Sequence, residues 1–134
     1  MRRMATRWLS PLTAILLVSC GYAVEETGTD IDGRVQTIEE GQPTSFADLV
    51  DGGCDSVGLV AAYASNSTRD EVVGRVGVSM EGVDRFTLAV FFDDTGERTR
   101  AVRLSRAPVD LDGLGNGRFS CTEEFVVSNG RAAW

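Results

Sequence analysis

The sequence predicts an α+β fold: a small antiparallel sheet of three to five strands with two short helices, preceded by a signal peptide and a flexible acidic tether. Three observations carry the prediction. Two apolar runs of strand length, "SVGLVAAYA" from Ser56 and "RFTLAVFFDD" from Arg85, lie between turn-forming residues. Two Ser/Thr-x-x-acid patterns stand at short segments with apolar residues, as at helix starts. An apolar run near the N-terminus stops at Cys20, and an acidic, glycine-dotted segment follows. With 134 residues, 43% of them apolar, the chain has length for one domain and not for two.

Met1 to Arg7 carries Arg2, Arg3 and Arg7 with no acid, and Leu9 to Val18 is an apolar run of about ten residues. A hydrocarbon core needs roughly 20 residues, so this run is too short to span one and fits a secretory signal instead. Leu17-Val18-Ser19-Cys20 resembles the bacterial lipobox, in which an aliphatic residue and two small or aliphatic residues precede an invariant cysteine. The resemblance implies a signal peptide over 1–19, cleavage before Cys20 and acylation of the Cys20 thiol. It further implies a lipid anchor in the cell membrane, on the extracytoplasmic face. The whole resembles small lipoproteins of high-GC Gram-positive bacteria. Two other readings compete. Gly21-Tyr22-Ala23 fits ordinary cleavage after Ala23, which releases a soluble protein; a buried N-terminal helix would have to accept Pro11 and three arginines. Arg2-Arg3 lacks the residues that follow the pair in a twin-arginine signal.

Setting Cys20 aside leaves Cys54 and Cys121, and an even remainder in an oxidising compartment reads as one disulfide. Closing so long a loop is worth roughly 4 kcal/mol in the chain-entropy account. That is a large share of a typical stability of about 5–15 kcal/mol. Two separate buried thiols are the alternative.

Gly21 to Thr44 holds Glu25, Glu26, Asp30, Asp32, Glu39 and Glu40 against Arg34 alone, with few apolar residues. It reads as a tether from Cys20 to residue 44, with a root-mean-square reach of roughly 25–30 Å as a flexible coil; Val35 and Ile38 allow a short strand or turn of helix. The folded domain is expected over 45–134. Ser45 with Asp48 predicts a short helix through Phe46, Leu49 and Val50, with Gly52 beyond its end. Ser56 to Ala64 predicts a buried central strand. Thr68 with Glu71 predicts a second helix, capped by Thr68 and kept short by Gly74 and Gly77. Arg85 to Asp94 is the strongest strand signal, "DDTGE" is a hairpin turn, and Arg98 to Arg106 alternates as a strand with one wet face. "DGLGNG" is a turn, and "RFSC" and "EFVVS" predict one or two last strands.

Thirteen basic residues, all Arg, face twenty acids, for a net charge of −7; the chain has no Lys and no His. Such a balance argues against nucleic acid, whose phosphates need clustered cations. Without His the commonest general base and metal ligand are missing, and Ser-His-Asp, Cys-His and Schiff-base lysine chemistry cannot be assembled from this chain.

The remaining clusters resolve into turns more readily than into sites. Asp93, Asp94 and Glu97 share a hairpin tip but lack the alternation of a Ca²⁺ loop. The stretch from Asp110 has Asp112 and Gly115 at EF-hand spacing, but Leu114 and Cys121 stand where ligands belong. No metal and no cofactor is expected. Asn66-Ser67-Thr68, a glycosylation pattern, reads as loop and helix cap. Phe91, Phe92, Tyr63 and Trp134 read as core or sheet cover, with Trp134 able to dock back on the sheet. Arg98, Arg100, Arg103 and Arg106 form the candidate binding face, since guanidinium groups grip carboxylates and phosphates bidentately; pairing with the domain's own acids is the competing use. The expected role is a non-enzymatic cell-envelope lipoprotein, anchored to the membrane through Cys20, whose domain binds a protein or envelope partner. A small secreted inhibitor or immunity-type protein, or a hydrolase built on a carboxylate pair, are the other classes.

Overall fold

The computed structural model describes residues 29–74 and 85–134. The expected signal peptide, the lipidation site Cys20, the first part of the tether and Gly77 lie outside the described residues. The fold is α+β and entirely antiparallel in its ladders. In chain order the elements are α1 (Thr29–Gln36), β1 (Thr44–Ser45), α2 (Phe46–Leu49), β2 (Ser56–Val60) and α3 (Asn66–Val73). β3 (Phe86–Phe92), β4 (Arg98–Ser105), a 3₁₀ turn (Leu111–Leu114), β5 (Gly117–Ser120), β6 (Glu124–Ser128) and β7 (Arg131–Ala133) follow. They build two sheets rather than one, of order β4-β3-β2-β5 and β1-β6-β7.

The four-stranded sheet is apolar on both faces, which is why β2 and β3 read as unbroken hydrophobic runs. Val57, Leu59, Ala89, Phe91, Val102 and Leu104 point into a core shared with the smaller sheet. There Phe46 of α2 bridges the layers, its ring centroid 6.1 Å from that of Phe91 and 5.3 Å from that of Phe125. Val60, Leu88, Val90, Phe92 and Ala101 form a second cluster on the opposite face, closed by Val73 of α3. Gly58 in β2 permits that closure, since a Cβ there would stand 2.6 Å from Cγ1 of Val73. Helix α3 starts three residues earlier than predicted, because Ser65 rather than Thr68 is its cap; the Ser65 hydroxyl accepts from the Thr68 backbone N–H at 3.1 Å. Asp48 accepts from the Ser45 backbone N–H at 3.3 Å, the reciprocal bond that the spacing at α2 predicted.

The larger departure lies in the segment expected to be tether. Thr29–Gln36 is helical, and Ile31 and Val35, one turn apart, are fully buried in the inter-sheet core. Polar bonds fix the helix on β4 and the loop after it. Asp32 accepts from the Ser105 backbone N–H at 3.0 Å and hydroxyl at 2.7 Å, while Gln36 exchanges bonds with the Val109 backbone at 3.1 and 2.7 Å. Arg34 donates to the Leu49 carbonyl at 2.9 Å and to Asp51 at 2.8 Å. The acids of this segment are thus partly anchoring groups, and the folded domain begins no later than Thr29.

The last hairpin, β6–β7, turns through Asn129 and Gly130, both at positive φ (53° and 75°), as a two-residue type I′ turn requires. Trp134, just past β7, folds back with its indole N–H donating to the Leu114 carbonyl at 2.9 Å and its ring packed, at a tilt of 43°, 4.5 Å from Phe119. Cys54 and Cys121, just before β2 and just after β5, sit at disulfide distance with Cα atoms 5.8 Å apart. The two strands they flank are neighbours in the sheet, with Ser56 opposite Ser120.

Candidate functional site

The four arginines of the β4 region do not share one face. A residue directly across a ladder points to the same side as its partner. Arg100 is opposite Phe91, whose ring is in the inter-sheet core, whereas Arg103 is opposite Leu88 and Arg98 opposite Phe92, both in the α3-side cluster. A register shift between Phe91 and Phe92 puts Arg98 and Arg100 on different faces despite their even spacing. Arg106 lies past the strand. Each is engaged within the domain. Arg100 grips Asp30 of α1 with two bonds of 2.7 and 2.8 Å. The Arg103 guanidinium lies 5.0 Å over the Phe86 ring. Arg106 reaches Asp112 at 3.0 Å and Asp110 at 3.5 Å.

Arg98 opens onto a different site. Its guanidinium is lodged against Gly74 at the C-terminal end of α3, where a Cβ would stand 2.7 Å from it. A cation there meets the negative end of the helix dipole. On the other side of the same sheet face, Arg118 of edge strand β5 is opposite Gly58. With only Gly58 and Ser56 between, the Arg118 side chain crosses β2 and lays its guanidinium 3.7 Å over the Phe92 ring. Phe92 thus carries the Arg118 guanidinium on its ring and is paired in the ladder with Arg98, and all three line one groove. Around them is an open groove of about 590 Å³, walled by the end of α3, the β3–β4 hairpin at Gly96 and the start of β5. Asp70 and Glu71 of α3 also border it; Asp70 is bonded to Arg69 at 3.2 Å and Glu71 is exposed. The sequence offered no signal for Arg118, because its nearness to Arg98 depends on which strands are neighbours.

The acidic clusters serve the backbone. Asp93 accepts from the Thr95 hydroxyl and from the backbone N–H groups of Thr95 and Glu97, at 2.6, 2.9 and 3.0 Å. The Thr95 hydroxyl bond, then the backbone bonds, hold its carboxyl below the usual carboxylate range, with burial opposing them. Asp112 accepts from Thr87 at 2.6 Å and from the Ala62 backbone N–H at 3.2 Å, and the Asp112 N–H donates to Asp110 at 2.8 Å. The EF-hand-like stretch thus turns its two aspartates toward Arg106 and β3 rather than toward a shared cation position. Among the described residues no group of three or more Cys, Asp or Glu side chains is arranged to hold a metal, and no helix is long and apolar enough to cross a membrane.

Of the four aromatic residues singled out from sequence, Phe91 and Phe92 are core, and Trp134 covers the space between the sheets. Tyr63 is neither: it is 74% exposed and held at φ 65° in the β2–α3 loop. Asn116 and Asp112 clamp that loop by accepting from the N–H groups of Ala61 and Ala62. No family model, no curated protein and no solved structure matches the chain.

Proposed function

We propose that this protein is a lipid-anchored cell-envelope protein whose domain acts as a non-enzymatic binding module. The observation that carries the reading is the disulfide-distance pair Cys54–Cys121. It accounts for two of the three cysteines, leaving Cys20 at the end of its lipobox-like run as the one for acylation. An oxidising compartment, a cleaved signal and an anchored thiol are mutually consistent. The groove between Arg98 and Arg118 supplies the domain with a concave polar surface suited to binding.

The anchor also has a length. Eight residues, Gly21 to Gly28, separate Cys20 from α1, and even fully extended they reach at most about 30 Å. A domain so tethered stays within one domain diameter of the bilayer, less free than a tether running to residue 44 would leave it. Intact mass of the protein extracted from membranes tests the reading. A chain beginning at Cys20, carrying a diacylglyceryl group and lacking two hydrogens, is expected. A chain beginning at Val24 and recovered from the medium overturns the anchor and leaves a secreted inhibitor or immunity-type protein as the better description.

A further inference from the structure

We propose that the groove bordered by Arg98 and Arg118 is a ligand site that takes a carboxylate or phosphoryl oxyanion, with Arg118 as the contacting group. The inference deepens the binding-module reading and rests on it.

Arg118 carries the argument. It stands on an edge strand, exposed, and its guanidinium plane is already oriented by stacking on Phe92 at 3.7 Å. A stacked guanidinium keeps its N–H groups pointing outward in its own plane, parallel to the ring, where they meet oxyanion oxygens in pairs, and little side-chain freedom is lost on binding. Phe92 itself is a fixed platform, 2% exposed and backed by the α3-side core. Arg98, partnered within the domain at the end of α3, adds a second positive charge to the lining of the same groove. Gly74, covered by the Arg98 guanidinium, and Gly96, with open space around it, line the wall beside it. Of the two acids that border the groove, Asp70 is paired with Arg69 and Glu71 is exposed to solvent. At about 590 Å³ the groove is in the range of small-ligand sites, so the oxyanion would be one end of a sugar- or peptide-sized molecule.

The test is a titration of the full chain, purified in detergent, with inorganic phosphate and separately with succinate at constant ionic strength, followed by amide NMR. Saturable shifts at Gly74, Gly96 and Arg118 with phosphate, with succinate or with both are expected, and which probe binds tells a phosphoryl from a carboxylate ligand. Arg118→Leu, which keeps an apolar cover on Phe92, should weaken that binding about tenfold or more, as the loss of a charge-assisted contact does. Arg118→Gln serves as a second variant, its spectrum outside the groove reporting that the fold is intact, and Arg131→Leu on β7 should bind as the native chain does. No saturable shift with either probe, or an affinity in Arg118→Leu and Arg118→Gln equal to that of the native chain, overturns the proposal. Either result is independent of the mass at Cys20, so the groove and the anchor stand or fall separately.

Discussion

Arg100 on β4 holds Asp30 on α1 through two parallel bonds, 2.7 and 2.8 Å long, across 70 residues of sequence. The pair joins the first described element to a strand of the larger sheet. The bond to Arg100, aided by backbone bonds and the guanidinium charge, holds the Asp30 carboxyl well below its ordinary value of 3.8, against a smaller opposing effect of burial. Arg34 lowers Asp51 in the same way. A carboxyl depressed in the folded state stabilises the fold at pH above its unfolded value and loses that contribution as pH falls through the folded one. Asp30→Asn should therefore unfold at lower urea concentration than the native chain near neutral pH, and the gap should close progressively below about pH 4. A gap that persists unchanged in acid would show that it does not come from the ion pair.

Ile31 and Val35 are the apolar residues of α1, and both are fully buried. If the helix is part of the cooperative domain, Ile31→Ala should cost about 2–5 kcal/mol, the usual range for truncating a core aliphatic to Ala. Val35→Ala, which removes fewer atoms, should cost less. Chemical denaturation measures both. Midpoints equal to that of the native chain would mean that α1 adds nothing to the fold and that the acidic segment behaves as a leash after all.

Gly58 sets how close α3 comes to the sheet. A methyl group at this position meets Cγ1 of Val73 at 2.6 Å and Cγ1 of Val72 at 3.4 Å, so Gly58→Ala should cost about 1–3 kcal/mol through overpacking. The cost should be non-additive with Val73→Ala, which removes the atom struck. In a double-mutant cycle the pair should be more stable than the sum of the singles by about 0.5 kcal/mol or more. Strict additivity would place the strain elsewhere.

The contrast between β2 and α1 shows what local sequence can and cannot carry. Strands β2 and β3 are buried on both faces, so their apolar runs were visible without knowing any partner. Helix α1 has two apolar residues in eight, and besides the nearer bonds of Arg34 to Leu49 and Asp51 its hold on the domain comes from Arg100, Ser105 and Val109, all about 70 residues away. No local window along the chain contains those distant partners. The α3 cap was misplaced for a smaller reason, since Ser65, Ser67 and Thr68 all offer hydroxyls within one turn and tertiary packing selects among them. The β6–β7 hairpin is different: Asn129-Gly130 is a strong local turn signal, present in the sequence and missed there. The expected face of four arginines is split by register, because strand alternation alone cannot anticipate the shift at Phe91/Phe92. Arg118 became part of the groove through that same dependence on strand order.

Trp134 offers an internal probe of how the two sheets are joined. Its indole N–H donates to the Leu114 carbonyl, and its ring packs 4.5 Å from Phe119 of the larger sheet and edge-on 6.0 Å from Phe125 of the smaller one. The side chain thus spans both layers at their margin while remaining 43% exposed. Trp134→Phe keeps most of the ring contact and removes the hydrogen bond, so it should cost about 1 kcal/mol. Trp134→Ala loses both and should cost about 2–3 kcal/mol, less than a fully buried aromatic because the residue is already partly exposed. The other tryptophan, Trp8, lies within the expected signal peptide. In protein that begins after it, emission comes from Trp134 alone and should shift to longer wavelength in the same transition that unfolds the sheets by circular dichroism. An emission change that precedes the circular-dichroism transition would mean that the C-terminus frays before the core, and that the layers are held together by Phe46, Phe91 and Phe125 without it.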